Sequence, residues 1–142
     1  MSSTTNKALV RSFIESWNRG DLQSMTQFWS PDMVHYSRGE SMSTEAVEQA
    51  MAGIMQAFPD MKLEIEDMLA EGNRVASLLK LSATHSGEYM GVSPTGRHVS
   101  CSFMGIVEVA DGKVVAHWGV ADGLHLLQQL GLIPDDYLAA TA

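Results

Sequence analysis

The sequence predicts an α+β domain: three helices, then a long antiparallel meander, then a short closing helix, with the helices packed on one side of a curved sheet. Three observations carry this. Apolar residues recur at helical spacing in three stretches up to Phe58, and the apolar period drops to two from Met61 onward. Asp111-Gly112 then lies between two alternating runs, a strong signal for a two-residue hairpin turn.

The elements follow in order. Leu9, Val10, Phe13, Ile14 and Trp17 share one face of a helix over about residues 6–18, which Asn18-Arg19-Gly20 ends, with Gly20 as the C-terminal cap. Asp21 is a fitting N-cap for a short second helix presenting Leu22, Met25, Phe28 and Trp29. Ser30-Pro31-Asp32 breaks that helix and leaves Met33 to Tyr36 as a short strand or extended loop. Ser43 or Thr44 starts a third helix that aligns Val47, Met51, Ile54, Met55 and Phe58 until Pro59 stops it. Met61, Leu63 and Ile65 alternate with Lys62, Glu64 and Glu66 as in a half-buried strand. Past Glu71-Gly72, a second strand puts Val75, Leu79, Leu81, Ala83 and His85 on one face. A loop rich in glycine and proline leads to a strand from about Arg97 to Val109, whose partner runs from Lys113 to about Ala121. A last helix, Leu124 to Leu130, closes at Gly131. No internal repeat or linker divides the chain, and residues 1–142 are expected to form one domain.

The hairpin assigns faces to its strands. A turn at Asp111-Gly112 pairs Ala110 with Lys113, setting Gly105 opposite Trp118, Phe103 opposite Val120 and Cys101 opposite Asp122. The expected inner face is therefore Val109, Val107, Gly105, Phe103 and Cys101 against Val114, Ala116, Trp118, Val120 and Asp122. Glu108, Ile106, Met104, Ser102 and His117 fall on the other face, toward solvent or a second subunit. A bulge in either strand inverts part of this assignment.

Bulk composition excludes several roles. At 45% hydrophobic and 18% charged residues, the chain is a folded one. A formal net charge of -8 opposes nucleic-acid binding and attachment to anionic membranes, both of which need a basic face. No apolar run reaches spanning length, and the first residues carry no basic-then-apolar leader pattern. The single cysteine, Cys101, forms no internal disulfide and suits a cytoplasmic location. The five histidines lack metal-ligand spacing, and the glycines between 87 and 96 lead into a strand rather than a phosphate-binding helix.

The run Thr84-His85-Ser86-Gly87-Glu88-Tyr89-Met90-Gly91-Val92-Ser93-Pro94-Thr95-Gly96-Arg97, followed by Asp111-Gly112-Lys113, His117-Trp118, Asp122 and Gln129-Leu130-Gly131, resembles the SnoaL-like polyketide cyclases. The resemblance covers nearly the whole chain. It implies a cone-shaped barrel of curved antiparallel sheet wrapped on the N-terminal helices and enclosing a pocket, a homodimer or larger assembly, and no cofactor. In the cyclases the aspartate matching Asp122 is the acid–base residue of an intramolecular aldol ring closure, and they carry a histidine matching His85. They place a glutamine and a histidine where this chain has Phe103 and Gly105, and an asparagine where it has His35. Those departures leave epoxide opening, hydration, dehydration and cofactor-free hydroxylation beside cyclisation as reactions the fold supports.

The candidate residues have both a chemical and a structural reading. Asp122 beside apolar neighbours would be a carboxyl with raised proton affinity, fit to take a proton from carbon next to a carbonyl. Its structural alternative is an N-cap worth about 1 kcal/mol. His85, at the end of an apolar strand face, is expected either to donate to a developing enolate or to bond a loop carbonyl. His35 and Tyr36 are expected at a pocket mouth or simply exposed, and Tyr89 as a lid or hydrogen-bond donor. Trp118, Phe103, Met51 and Met55 would hold the rings of a bulky, apolar carbonyl compound of secondary metabolism, the methionines alternatively being core filler. The opposing class is a non-enzymatic ligand-binding or assembly module, in which Asp122 and His85 are ordinary structural residues.

Overall fold

A computed structural model describes residues 2–136; residue 1 and residues 137–142 lie outside the described part. The first helix, α1 (Ser3–Asn18), starts earlier than its apolar face demands because Ser2 caps it, accepting from the Thr5 N–H. Val10, Ile14 and Trp17 on its buried face meet the sheet. Its last residue, Asn18, works as a sheet edge. Its carboxamide donates to the Leu63 carbonyl at 2.9 Å and accepts from the Leu63 N–H at 2.7 Å, giving both backbone groups a partner. The short α2 (Leu22–Thr26) is capped by Asp21 and seats fully buried Met25 in the core. Helix α3 (Thr44–Ala57) begins at the Ser43 cap and ends at Phe58.

Six strands form one curved sheet: β1 (Trp29–Ser37), β2 (Glu40–Met42), β3 (Lys62–Glu71), β4 (Arg74–Thr84), β5 (His98–Ala110) and β6 (Lys113–Ala121). Their spatial order is β2-β1-β6-β5-β4-β3, after which α4 (Gly123–Gln129) closes the chain. The fold is α+β as expected, with two corrections. The sheet is open, since β2 and β3 are unpaired edges rather than the seam of a barrel. It is also mixed: Met33–Tyr36 belongs to a nine-residue strand, and that strand runs parallel to β6. Pro31 is tolerated inside β1 because the ladder with β6 slips between Trp29 and Val34, where no N–H is required of it.

The Asp111-Gly112 hairpin forms as expected, Ala110 opposite Lys113, with φ of 50° and 73° at its two turn residues. Two residues later the register shifts. Val109 pairs with Val114 but Glu108 pairs with Ala116, leaving Val115 as the extra residue of a bulge. From there every side chain on β6 points opposite to the expected direction. Gly105 faces Gly119, Phe103 faces Ala121 and Val107 faces His117. Trp118 and Val120 turn to the outer face, opposite Ile106 and Met104.

Candidate active site

The bulge and the helices together enclose a cavity of about 210 Å³ between the inner face of the sheet and α1 to α4. Its wall is almost wholly apolar: Phe13, Ile14 and Trp17 from α1, Met51 and Ile54 from α3, and Leu79, Leu81, Phe103 and Val107 from the strands. Four polar side chains join them, Ser77, Tyr89, Cys101 and His117. Two glycines bear on this wall, Gly105 within it and Gly119 opposite on β6. A Cβ at Gly119 would stand 2.8 Å from Phe103 Cζ, and one at Gly105 would stand 3.2 Å from His117 Nε2. The bare backbone there gives room to both rings.

Of the expected site residues, Phe103, Met51 and Tyr89 line this cavity. Met55 packs against the core without reaching the wall. Tyr36 and Trp118 do not bind inside: they stack on the outer face, centroids 5.1 Å apart and 11° from parallel, with the Arg74 guanidinium over the Trp118 ring. The physical reason is the one-residue slip at Val115. The same slip corrects the placing of Asp122, which is exposed rather than sunk in an apolar recess. Its carboxylate caps α4, accepting from the His125 N–H at 3.2 Å. Asp122 nevertheless stands at the cavity rim. The residue before it, Ala121, and the neighbouring Cys101 both line the wall. Burial, and then the negative charge of Asp122, push the Cys101 thiol up.

His85 is fully buried yet lies outside the cavity wall, behind Phe58. Its Nδ1 accepts from the Thr95 N–H at 3.2 Å and meets the Thr95 hydroxyl at 3.0 Å. That hydroxyl in turn accepts from the Arg97 N–H. The backbone of His85 also bonds to Arg97 and Gly96. Two donors at Nδ1 fix the proton of the neutral ring on Nε2, which is buried without a partner among the described residues. The motif around Pro94-Thr95-Gly96-Arg97 is thereby a clasp: Arg97 reaches the Gln129 carbonyl, and the Gln129 carboxamide bonds both backbone groups of Ser100, tying loop, β5 and α4 together.

His117, expected on the outer face, is the residue that sequence reasoning missed. Its ring lines the cavity, and Nδ1 lies 2.6 Å from Nδ1 of His35 on β1, the ring centroids 4.6 Å apart. His35 and His117 are direct partners in the parallel β1–β6 ladder, a pairing no local pattern announces. The available signal was Val114-Val115-Ala116, three apolar residues in a row where strict alternation allows one. Burial, reinforced by the adjoining His35, pushes His117 down to about 3, and burial lowers His35 as well. Burial raises the Tyr89 phenol. At neutral pH the wall therefore carries no formal charge, while the Asp122 carboxylate lies close enough to act on Cys101. Among the described residues no three His, Cys, Asp or Glu side chains gather as a metal-binding cluster.

Comparisons with known proteins agree with this architecture. The SnoaL-like polyketide cyclase family model matches residues 7–130. Aklanonic acid methyl ester cyclase DnrD of Streptomyces peucetius is 27% identical over 135 residues, covering 90% of this chain and 92% of the relative. Among solved structures, AclR of Streptomyces galilaeus, described as a candidate hydroxylase, superposes with a TM-score of 0.90. It is 43% identical and covers 94% of this chain and all (100%) of that one. IdmH of Streptomyces antibioticus, described as a candidate polyketide cyclase, gives a TM-score of 0.79 at 29% identity, covering 89% of this chain and 98% of that chain. The chain belongs to the SnoaL-like polyketide cyclase family.

Proposed function

We propose that the chain is an enzyme of secondary metabolism that admits a bulky, largely apolar carbonyl compound to this cavity and catalyses its cyclisation by proton transfer, without a cofactor. The observation that carries the reading is the contrast between an uncharged apolar wall and a carboxylate stationed at its rim. Such a wall takes up fused rings through the hydrophobic effect and supplies few competing hydrogen bonds. A cavity of about 210 Å³ is below the about 300–1,000 Å³ usual for drug-sized ligands, so a polycyclic substrate would extend through the mouth and strip water from Asp122. Desolvation raises the proton affinity of a carboxylate and strengthens it as a base toward carbon beside a carbonyl. His85 serves this site by holding the loop that brings Tyr89 into the wall.

The relatives named as aklanonic acid methyl ester cyclases favour ring closure. A second reading, hydroxylation of the same class of compound, is favoured by the 43% identity to AclR. The test is turnover of aklanonic acid methyl ester by the wild type and by Asp122→Asn. Asparagine is as good an N-cap as aspartate, so the substitution removes the base while α4 keeps its cap. A ring-closed product from the wild type, with turnover lowered about 10²-fold or more in the variant, supports the reading. Undiminished turnover by Asp122→Asn refutes the role of Asp122, and a hydroxylated product moves the assignment to the second reading.

A further inference from the structure

His117 is a cavity-lining imidazole whose outer nitrogen is already engaged and whose inner nitrogen is free. Nδ1 is held at 2.6 Å by His35, whereas Nε2 makes no hydrogen bond among the described residues. Nε2 stands next to the bare backbone of Gly105, itself part of the cavity wall. Both partners sit on paired strands, so the contact is fixed by the ladder rather than by a mobile loop. With two neutral rings, an Nδ1-to-Nδ1 hydrogen bond needs one Nδ1 protonated and the other bare. When His117 is the donor, its Nε2 presents a lone pair to the cavity. When His35 is the donor, Nε2 presents a proton. The two arrangements differ only by where the protons sit, and each is what an acid–base site requires at one stage of a turnover.

We infer that His117 and His35 form a proton-transfer pair in the cavity wall, His117 exchanging a proton with a bound carbonyl compound and His35 taking up the proton released behind it. The inference rests on the proposed function for the kind of compound bound, and offers the pair in place of Asp122 as the group that takes the proton from carbon. The step balances as follows. A C–H bond beside the carbonyl breaks, its electron pair stays on the substrate as the enolate, and the proton joins the lone pair of His117 Nε2. The Nδ1–H bond of His117 breaks as His35 Nδ1 takes that proton. His117 ends neutral in the opposite tautomer, and His35, which enters with its proton on Nε2, ends as the imidazolium. The reverse transfer delivers a proton to the product. The arrangement keeps the positive charge off the more deeply buried ring, where desolvation opposes it most, and places it on half-buried His35.

The experiment uses 1-tetralone, a fused-ring ketone, and follows deuterium entry at its carbon 2 in D₂O by proton NMR, with binding read from tryptophan fluorescence, Trp17 lying in the cavity wall. His117→Gln is expected to lower exchange by about 10²-fold while binding changes by less than twofold. His35→Gln, which holds the His117 proton but cannot accept it as a base, is expected to lower exchange with binding intact. Full exchange in either variant overturns the pair. Asp122→Asn separates the two readings: exchange lost there alone sustains Asp122 and defeats the pair, and exchange kept there while His117→Gln loses it does the reverse. A wild type that binds the ketone without exchanging it defeats the pair too. The free protein supplies a readout that needs no ligand. With ¹⁵N-labelled histidine at pH 7, both rings should be neutral, one Nδ1 protonated and the other bare, and His35→Gln should shift the His117 resonances. An imidazolium His117, or an Nδ1 proton on both rings or on neither, overturns the inference.

Discussion

Gly105 and Gly119 face each other across the β5–β6 ladder, and the space that their missing side chains leave is occupied by Phe103 and His117. A methyl group at position 119 would stand 2.8 Å from the tip of the Phe103 ring, inside van der Waals contact. The ring has one direction to yield, into the cavity it lines. Gly119→Ala is therefore expected to lower stability by about 1 kcal/mol, overpacking outweighing the entropic gain of replacing a strand glycine. It should also weaken binding of apolar ketones by shrinking the cavity. Urea unfolding and a fluorescence titration measure the two effects; unchanged binding would show that Phe103 does not move into the ligand's space.

His117 makes stability depend on pH. Its proton affinity falls from an unfolded value near 6.5 to about 3 in the fold, so the unfolded chain binds the proton more readily. The neutral ring's contribution is then complete above pH 6.5 and is lost progressively as pH falls toward 3. The shift caps the loss at roughly 5 kcal/mol, and His35, lowered by burial, adds in the same direction. Asp21 and Asp60, both held below the usual carboxylate range by bonds from Ser24 and Thr84, act only below about pH 4. The window from pH 6.5 to 4 accordingly isolates the histidines. Urea midpoints should fall across it in the wild type and flatten in His117→Gln; parallel curves would mean that His117 is hydrated in solution.

The elements were legible because their apolar periods are local. The faces of α1 and α3, the alternation of β3 and β4, and the Asp111-Gly112 turn all follow from neighbours a few residues apart, and Phe103, Met51 and Tyr89 were found through them. What escaped was decided by long-range pairing. Ser30-Pro31-Asp32 reads as a break, yet β1 continues through it because Val114 donates to the Phe28 carbonyl and β6 carries the strand along. That docking of β1 on β6 spans the start of β6, where Val115 bulges out, and it reverses Trp118 and brings in His117. Val109 and Val114, next to the hairpin, stay inside, and everything on β6 past Val115 turns over.

Thr95 carries a load that its place in a glycine-rich loop conceals. Its hydroxyl and backbone N–H both serve Nδ1 of His85, and the same hydroxyl accepts from Arg97. Thr95→Val keeps the shape, removes the hydroxyl, and leaves the Arg97 N–H without that acceptor. A loss of about 1 kcal/mol is expected, the net worth of a typical hydrogen bond, because Thr95 and Arg97 are exposed and the Thr95 N–H still serves His85. Amide hydrogen exchange should quicken at His85, Gly96 and Arg97, the residues of the clasp, before it quickens in β3. Uniform acceleration along the chain would instead mean that the clasp is no weaker than the rest of the fold.

The outer face of the sheet is the last feature with a measurable consequence. Register places Leu69, Ala76, Ile106, Trp118 and Tyr36 in one row across five strands, with Leu78, Met104 and Val120 in the next. Leu69, Met104 and Val120 are 66%, 54% and 71% exposed. We propose that this apolar row receives a second copy of the chain, sheet against sheet. A two-fold contact repeats each substitution on both sides, so one charge in the middle of the patch is doubly unfavourable. Sedimentation should give twice the chain mass for the wild type and the single mass for Val120→Lys, with the cavity side of the fold intact by circular dichroism. A wild type that sediments as a single chain at all concentrations would refute the pairing and leave the row of Leu69, Ile106 and Trp118 as a surface for some other partner.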